Sequence, residues 1–91
     1  MNIKKSFDEL LKRARHAREA VVAELMSQTG VAASTPAENR WNEYYRFAIL
    51  KAESANQLQT LLQLQAPSIY LQGRAMRKMS FLKAHGTGYS Q

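Results

Sequence analysis

Between its two prolines, Pro36 and Pro67, the chain runs AENRWNEYYRFAILKAESANQLQTLLQLQA, about 30 residues with no glycine or proline. A helix across that stretch would be roughly 45 Å long at 1.5 Å per residue. Few small domains can cover such a length, so this run constrains the fold more than any other feature. Trp41, Tyr45, Ala48, Ala52, Ala55 and Leu62 form one apolar stripe along it. Tyr44, Phe47, Leu50, Leu58 and Leu61 form a second row partly beside the first. Thr35-Pro36-Ala37-Glu38 reads as its start, a capping box with proline at the first helical position, where the missing N–H costs nothing. The pattern predicts a second helix over about 36–65.

An earlier helix is expected over about 7–28. Ser6-Phe7-Asp8-Glu9 is a capping box, and Asp8 and Glu9 stand at the positive end of the helix dipole. Phe7, Leu10, Leu11, Ala14, Ala17, Val21, Val22 and Leu25 then recur at helical spacing, and Gly30 suits a left-handed terminus. This first helix covers only part of the second. The remainder needs cover from a third segment or from another molecule. After Pro67, Ser68 can cap the segment SIYLQGRAMRKMSFLKAHG, in which Ile69, Met76, Met79 and Leu82 share a face. Gly73 weakens a continuous helix there by about 1 kcal/mol relative to alanine. A third helix is therefore expected over about 74–84, with 68–73 either its first turns or an irregular link, and residues 85–91 as a frayed tail. The fold class is all-α: a hairpin of two helices with a shorter basic helix against it, in one domain of 91 residues.

Charge is unevenly placed. The net charge is +6. Residues 1–30 hold six basic and four acidic groups, residues 31–66 hold three of each, and residues 67–91 hold Arg74, Arg77, Lys78 and Lys83 with no acid. An acidic partner is thus expected to meet the C-terminal end. With no cysteine, disulfides and thiolate metal sites are excluded. The N-terminal stretch lacks the apolar core of a signal peptide, and no run reaches the 18 apolar residues of a membrane span, so a cytoplasmic protein is expected.

The pattern gives catalysis little to work with. His16 falls on the polar side of the first helix and His85 near the tail, and Asp8, the only aspartate, serves the helix start. No nucleophile, base and orienter stand at recognisable spacing, and two scattered histidines make no metal-ligand set. Neither a cofactor nor an enzymatic activity is expected.

Binding has more support. The cluster NRWNEYYRF gathers Trp41, Tyr44, Tyr45 and Phe47 within about two turns, more than one small core is expected to bury. Trp41 and Tyr45 are expected inside, with Tyr44, Arg46 and Phe47 at least half exposed as contact residues. RAMRKMSFLK is a short basic amphipathic helix whose Arg74, Arg77 and Lys78 can meet an acidic groove. Lys12, Arg13, Arg15 and Arg18, with Lys4, Lys5 and His16 nearby, can instead lie along a phosphate backbone. Their plain alternative is a solvated face carrying ion pairs such as Asp8–Lys12 and Glu9–Arg13. Arg18 differs from the rest because it falls within the apolar stripe. It is expected either to snorkel at the core edge or to meet a partner carboxylate. Pro67 ends the second helix. It also gives the Ala66-Pro67 bond slow cis/trans exchange, for which a prolyl isomerase is the natural reader if the link is exposed.

In size and in the order MNIKKSFDELLKRARHAREAV, NRWNEYYRFAILKAESANQLQTLLQLQAP, RAMRKMSFLKAHG, the chain resembles the small anti-RecBCD (Abc-type) proteins of lambdoid phages. The resemblance implies a phage-encoded protein of the bacterial host cytoplasm. Such a protein binds the RecBCD helicase–nuclease, through RecC, and redirects it in favour of phage recombination. No motif carries contact residues across. The expected contacts, Tyr44, Arg46, Phe47, Pro67, Ile69, Tyr70, Arg74, Arg77 and Lys78, come from the physical reading alone. Two alternatives stand beside it: direct DNA binding by the basic face of the first helix, and a homodimer that pairs the second helix with its copy.

Overall fold

A computed structural model describes residues 6–27 and 36–86. They form four helices, α1 (Phe7–Ser27), α2 (Pro36–Lys51), α3 (Ala55–Gln63) and α4 (Ile69–Phe81), and α4 runs on into one turn of π-helix, Leu82–Gly86. The fold is all-α with α1 packed against α2, as expected, but it has four helices and not three. The expected starts at Thr35 and ends at Gly30, together with Lys4, Lys5, the Leu25 side chain and residues 87–91, lie outside the described residues.

The first correction concerns the long unpunctuated run. It breaks at Ala52–Ser54, with neither glycine nor proline present. Ser54 takes an extended backbone and its side chain accepts from the Gln57 N–H at 3.2 Å. The Gln57 Oε1 turns back to accept from Glu53 N at 2.6 Å and from Ser54 N at 3.3 Å. This is a complete capping box, Ser-x-x-Gln, and it supplies enough bonds to start a new helix in the middle of the run. The break re-phases the apolar pattern. Leu58 and Leu61 become fully buried, while Leu62 is only partly covered and Leu50 faces solvent. The covering problem of a 45 Å rod is thus solved by folding the rod.

Of the two readings of residues 68–73, the structure takes the first turns: α4 starts at Ile69 and carries Gly73 inside it. Ser68 is its N-cap, accepting from Leu71 N at 3.1 Å, so the expected cap is in place and the helix simply begins there. Its inner face is Leu71 and Ala75, with Met79 and Leu82 packed on the same core. Ile69, expected as a contact residue, is exposed, and Met76, which shares its line, is exposed with it and not packed on the core. They lie seven residues apart on one line, about 110° round the helix from the buried line of 71, 75 and 79.

The main core joins all four helices: Phe7, Leu10 and Leu11 of α1, Tyr45, Ala48 and Ile49 of α2, Leu58 and Leu61 of α3, and Leu71 and Ala75 of α4. Each fully buried leucine contributes about 1.5–3 kcal/mol by leaving water. Toward the far end of the α1–α2 hairpin a second cluster, Ala14, Ala17, Val21, Ala37 and Trp41, is built mostly from alanines, which let the two helices approach closely. Val22, expected in the stripe, faces solvent. At the start of α1, Ser6 Oγ accepts from Glu9 N at 3.2 Å, but the Glu9 carboxylate pairs forward with Arg13 Nε at 2.8 Å. Only one arm of that capping box forms, and the expected i,i+4 ion pair takes the other.

Candidate docking surface

The outer face of α4 is where large apolar side chains meet solvent beside positive charge. Ile69 is 86% exposed, Tyr70 65%, Phe81 58% and Met76 48%. Arg77 is exposed beside them, and Arg74 lies over the Tyr70 ring, 5.8 Å from its centroid, with Nη1 3.4 Å from the hydroxyl. From Ala55 through Gly86 no acidic residue occurs. The helix therefore offers apolar anchors among positive charges with no carboxylate of its own, the nearest acid being Glu43 of α2 in the cavity beside Tyr70.

Two cavities, each of about 350 Å³, flank the N-terminal end of this helix. One lies between α2 and α4, where Arg46 and Glu43 face Tyr70. The other runs along the link between α3 and α4, where Ala66 and Pro67 line the wall with Ile69 and Gln72. Pro67 is thus placed at the rim of an open groove, next to the most exposed apolar residue of α4.

Lys78 belongs to a different category from the other expected contact residues. Its Nζ donates to the carbonyls of Ile49 at 2.7 Å and Leu50 at 3.2 Å, two of those left without helical partners when α2 stops. Burial holds its pKa below the usual lysine value, while the Glu53 carboxylate pulls the other way. This ammonium is a structural tie from α4 to the end of α2. It was expected at an interface because charge is visible in a sequence and the broken helix end it serves is not.

The aromatic cluster is also divided by the fold. Trp41 and Tyr45 are buried, as expected. Tyr44 and Phe47 were expected at least half exposed, but both pack partly on the core. They lie on the flank of α2 that borders α1. Arg46 is exposed, stacks over the Phe47 ring at 5.5 Å and opens toward Tyr70. Of the expected contacts, Arg46, Pro67, Ile69, Tyr70, Arg74 and Arg77 share one side of the molecule around α4, and Tyr44 does not.

The basic residues of α1 do not form one surface. Arg13 and Arg18 are five positions apart and so about 140° apart around the helix. Arg13 borders α2, while Arg18 reaches the opposite flank and donates from Nη2 to Gln65 Oε1 at 3.0 Å and from Nε at 3.3 Å. Arg18 neither snorkels freely nor waits for a carboxylate; it ties α1 to the link after α3. Lys12 and Arg15 point outward between the two. Among the described residues no three His, Asp or Glu side chains gather where they could hold a metal ion, and no helix is long and apolar enough to cross a membrane. Fold and surface together define a small four-helix protein with a basic, partly apolar outer helix. Compared with protein-family models, curated proteins and solved structures, the chain matches none.

Proposed function

We propose that this chain is a non-enzymatic protein-binding modulator whose docking surface is the outer face of α4, and that its target is the RecBCD helicase–nuclease of a bacterial host. The observation that carries the first half is the α4 face itself, with Ile69, Tyr70 and Phe81 exposed among Arg74 and Arg77 and no acid in the last two helices. Aromatic residues and arginine dominate binding hot spots, and an exposed group of this kind marks an interaction surface. Its partner presents a groove that is apolar at the centre and acidic at the rim. The second half rests on the resemblance to the Abc-type phage proteins, which act on RecBCD through RecC in the host cytoplasm. A binder of this size modulates a large enzyme by contacting one of its conformations better than another. The same single-sign charge that attracts an acidic partner repels a second copy of α4, which weighs against a homodimer built on this face. The Ala66-Pro67 link lines a groove with both residues partly exposed and Ala66 packed on the core, and a prolyl isomerase reading that bond would set the direction in which α4 leaves α3.

The test is a tagged pull-down from bacterial lysate treated with DNase, comparing the parent chain with an Ile69→Glu/Tyr70→Glu variant. Recovery of RecBCD subunits by the parent and loss by the variant is the expected result. Equal recovery by both would remove α4 from the interface, and recovery of neither RecBCD nor any other acidic partner would overturn the reading. A prolyl isomerase retained by the parent and lost with Pro67→Ala would assign the link its reader.

A further inference from the structure

Away from α4, the seam between α1 and α2 opens into a cavity of about 260 Å³ lined by Arg13, His16, Ala17, Ala20, Arg40 and Tyr44. We propose that this cleft is a binding site for a phosphodiester of single-stranded nucleic acid, with the adjoining base stacked on Tyr44. This site is independent of the docking face on α4.

The cleft is built by sequence spacing. Arg13, His16, Ala17 and Ala20 stand at i, i+3, i+4 and i+7 on α1, and Arg40 and Tyr44 at i and i+4 on α2. Each set lines one wall. Alanines 17 and 20 leave the floor clear, so the polar groups surround a space and not a packed side chain. Arg40 and His16 are exposed and make no ion pair among the described residues. Arg13 is paired through Nε to Glu9, which leaves its Nη groups free of that bond, and among the described residues Glu9 is the only carboxylate paired there. Two guanidinium groups across one cleft repel each other unless an anion lies between them. A phosphate, with several acceptor oxygens, suits two arginine forks at once.

Two observations favour a nucleic-acid chain over other anions. The cleft, about 260 Å³ and open to solvent, has room for one phosphate group and leaves a chain free to continue past it. Tyr44 packs on both core clusters but is not fully buried and lines the cleft, and an aromatic ring beside a cationic groove is the arrangement that holds unpaired bases by stacking. A duplex keeps its bases stacked on each other and has none to offer Tyr44.

The experiment is fluorescence anisotropy of an end-labelled oligothymidylate titrated with the full chain over a range of salt concentrations. Arg40→Ala, His16→Ala, Tyr44→Leu and the α4 control Arg77→Ala are each checked for folding by circular dichroism. The parent is expected to bind with an affinity that falls as salt rises. Arg40→Ala should lower the slope of log affinity against log salt by about 0.7 if one phosphate contact is lost. Tyr44→Leu should weaken binding by about tenfold with the slope unchanged. His16→Ala should weaken it less, and Arg77→Ala not at all. No binding at low salt, equal losses for Arg77→Ala and Arg40→Ala, or competition by polyglutamate as effective as by unlabelled oligothymidylate would each overturn the proposal, the last in favour of an acidic protein.

Discussion

The hydroxyl of Tyr45, fully buried in α2, donates to the Leu61 carbonyl of α3 at 3.2 Å and lies 3.4 Å from the carbonyl of Leu64. One phenol therefore serves the end of a helix that has no glycine to close it. Tyr45→Phe keeps the ring and removes this donor, while the Leu61 carbonyl keeps its bond from Leu64 N at 3.0 Å, so the loss should be about 1 kcal/mol in urea unfolding. Burial also pushes the Tyr45 pKa up to about 12, against about 10 in the unfolded chain. The neutral phenol is the form the fold favours. This stabilisation is complete below pH 10 and is lost as pH rises from about 10 through about 12, amounting to roughly 2–3 kcal/mol. Across that window the stability gap between parent and Tyr45→Phe should close and then reverse. A constant gap would show that Tyr45 does not titrate with unfolding.

Ser54 decides where α2 ends and α3 begins. Ser54→Ala removes the oxygen that accepts from Gln57 N, and loss of such a cap costs about 1 kcal/mol. The denaturation midpoint should fall with an unchanged slope, and Ser54→Asp should recover most of the loss. If Ser54→Ala is neutral while helical circular dichroism rises, α2 and α3 have fused, and the packing of Leu58 and Leu61 does not depend on the cap.

Gly73 sits within α4 where a helix gains from alanine. A Cβ placed there would come 3.3 Å from Arg77 Nη1, the far end of a flexible and exposed side chain that can move aside. Gly73→Ala should therefore stabilise the protein by about 0.5–1 kcal/mol, read as a higher melting temperature. A lower melting temperature would mean that Arg77 is held in place by something its exposure does not reveal.

The distribution of these features explains what the sequence discloses. The helical class, the α1 stripe, the Ser68 cap, the burial of Trp41 and Tyr45 and the exposure of Ile69 beside Tyr70 follow from local periodicity and composition. The break at Ser54 was also written locally, as Ser-Ala-Asn-Gln. It is hidden because the same four residues fit an unbroken helix, and a capping box wins only when folding back buries Leu58 and Leu61. The roles of Arg18 and Lys78 were not legible at all. Lys78 looks available along the chain and Arg18 reads only as a charge within the apolar stripe, yet both are occupied by groups 47 and 28–29 residues away, Gln65 for Arg18 and the end of α2 for Lys78. The α1–α2 cleft was half legible: Arg13 and His16 stood in a basic row, but only the hairpin brings Arg40 and Tyr44 opposite them.

That distinction between occupied and available charge gives the last prediction. Lys78 and Arg77 are neighbours in sequence and both were expected to meet a partner. Lys78→Met keeps the apolar stem and removes the ammonium from the Ile49 and Leu50 carbonyls at the negative end of α2. It should cost about 1 kcal/mol of stability, while leaving capture of an acidic partner unchanged per folded molecule. Arg77→Glu should do the reverse, because its side chain is exposed on the proposed docking face, where reversing one charge places like against like. Its melting temperature should stay near that of the parent while capture in the pull-down falls at least tenfold, with a slower association rate in surface binding that depends on salt. If Lys78→Met loses capture while remaining folded, the ammonium exchanges the α2 carbonyls for a partner carboxylate on docking, and the α2–α4 tie is a contact that opens.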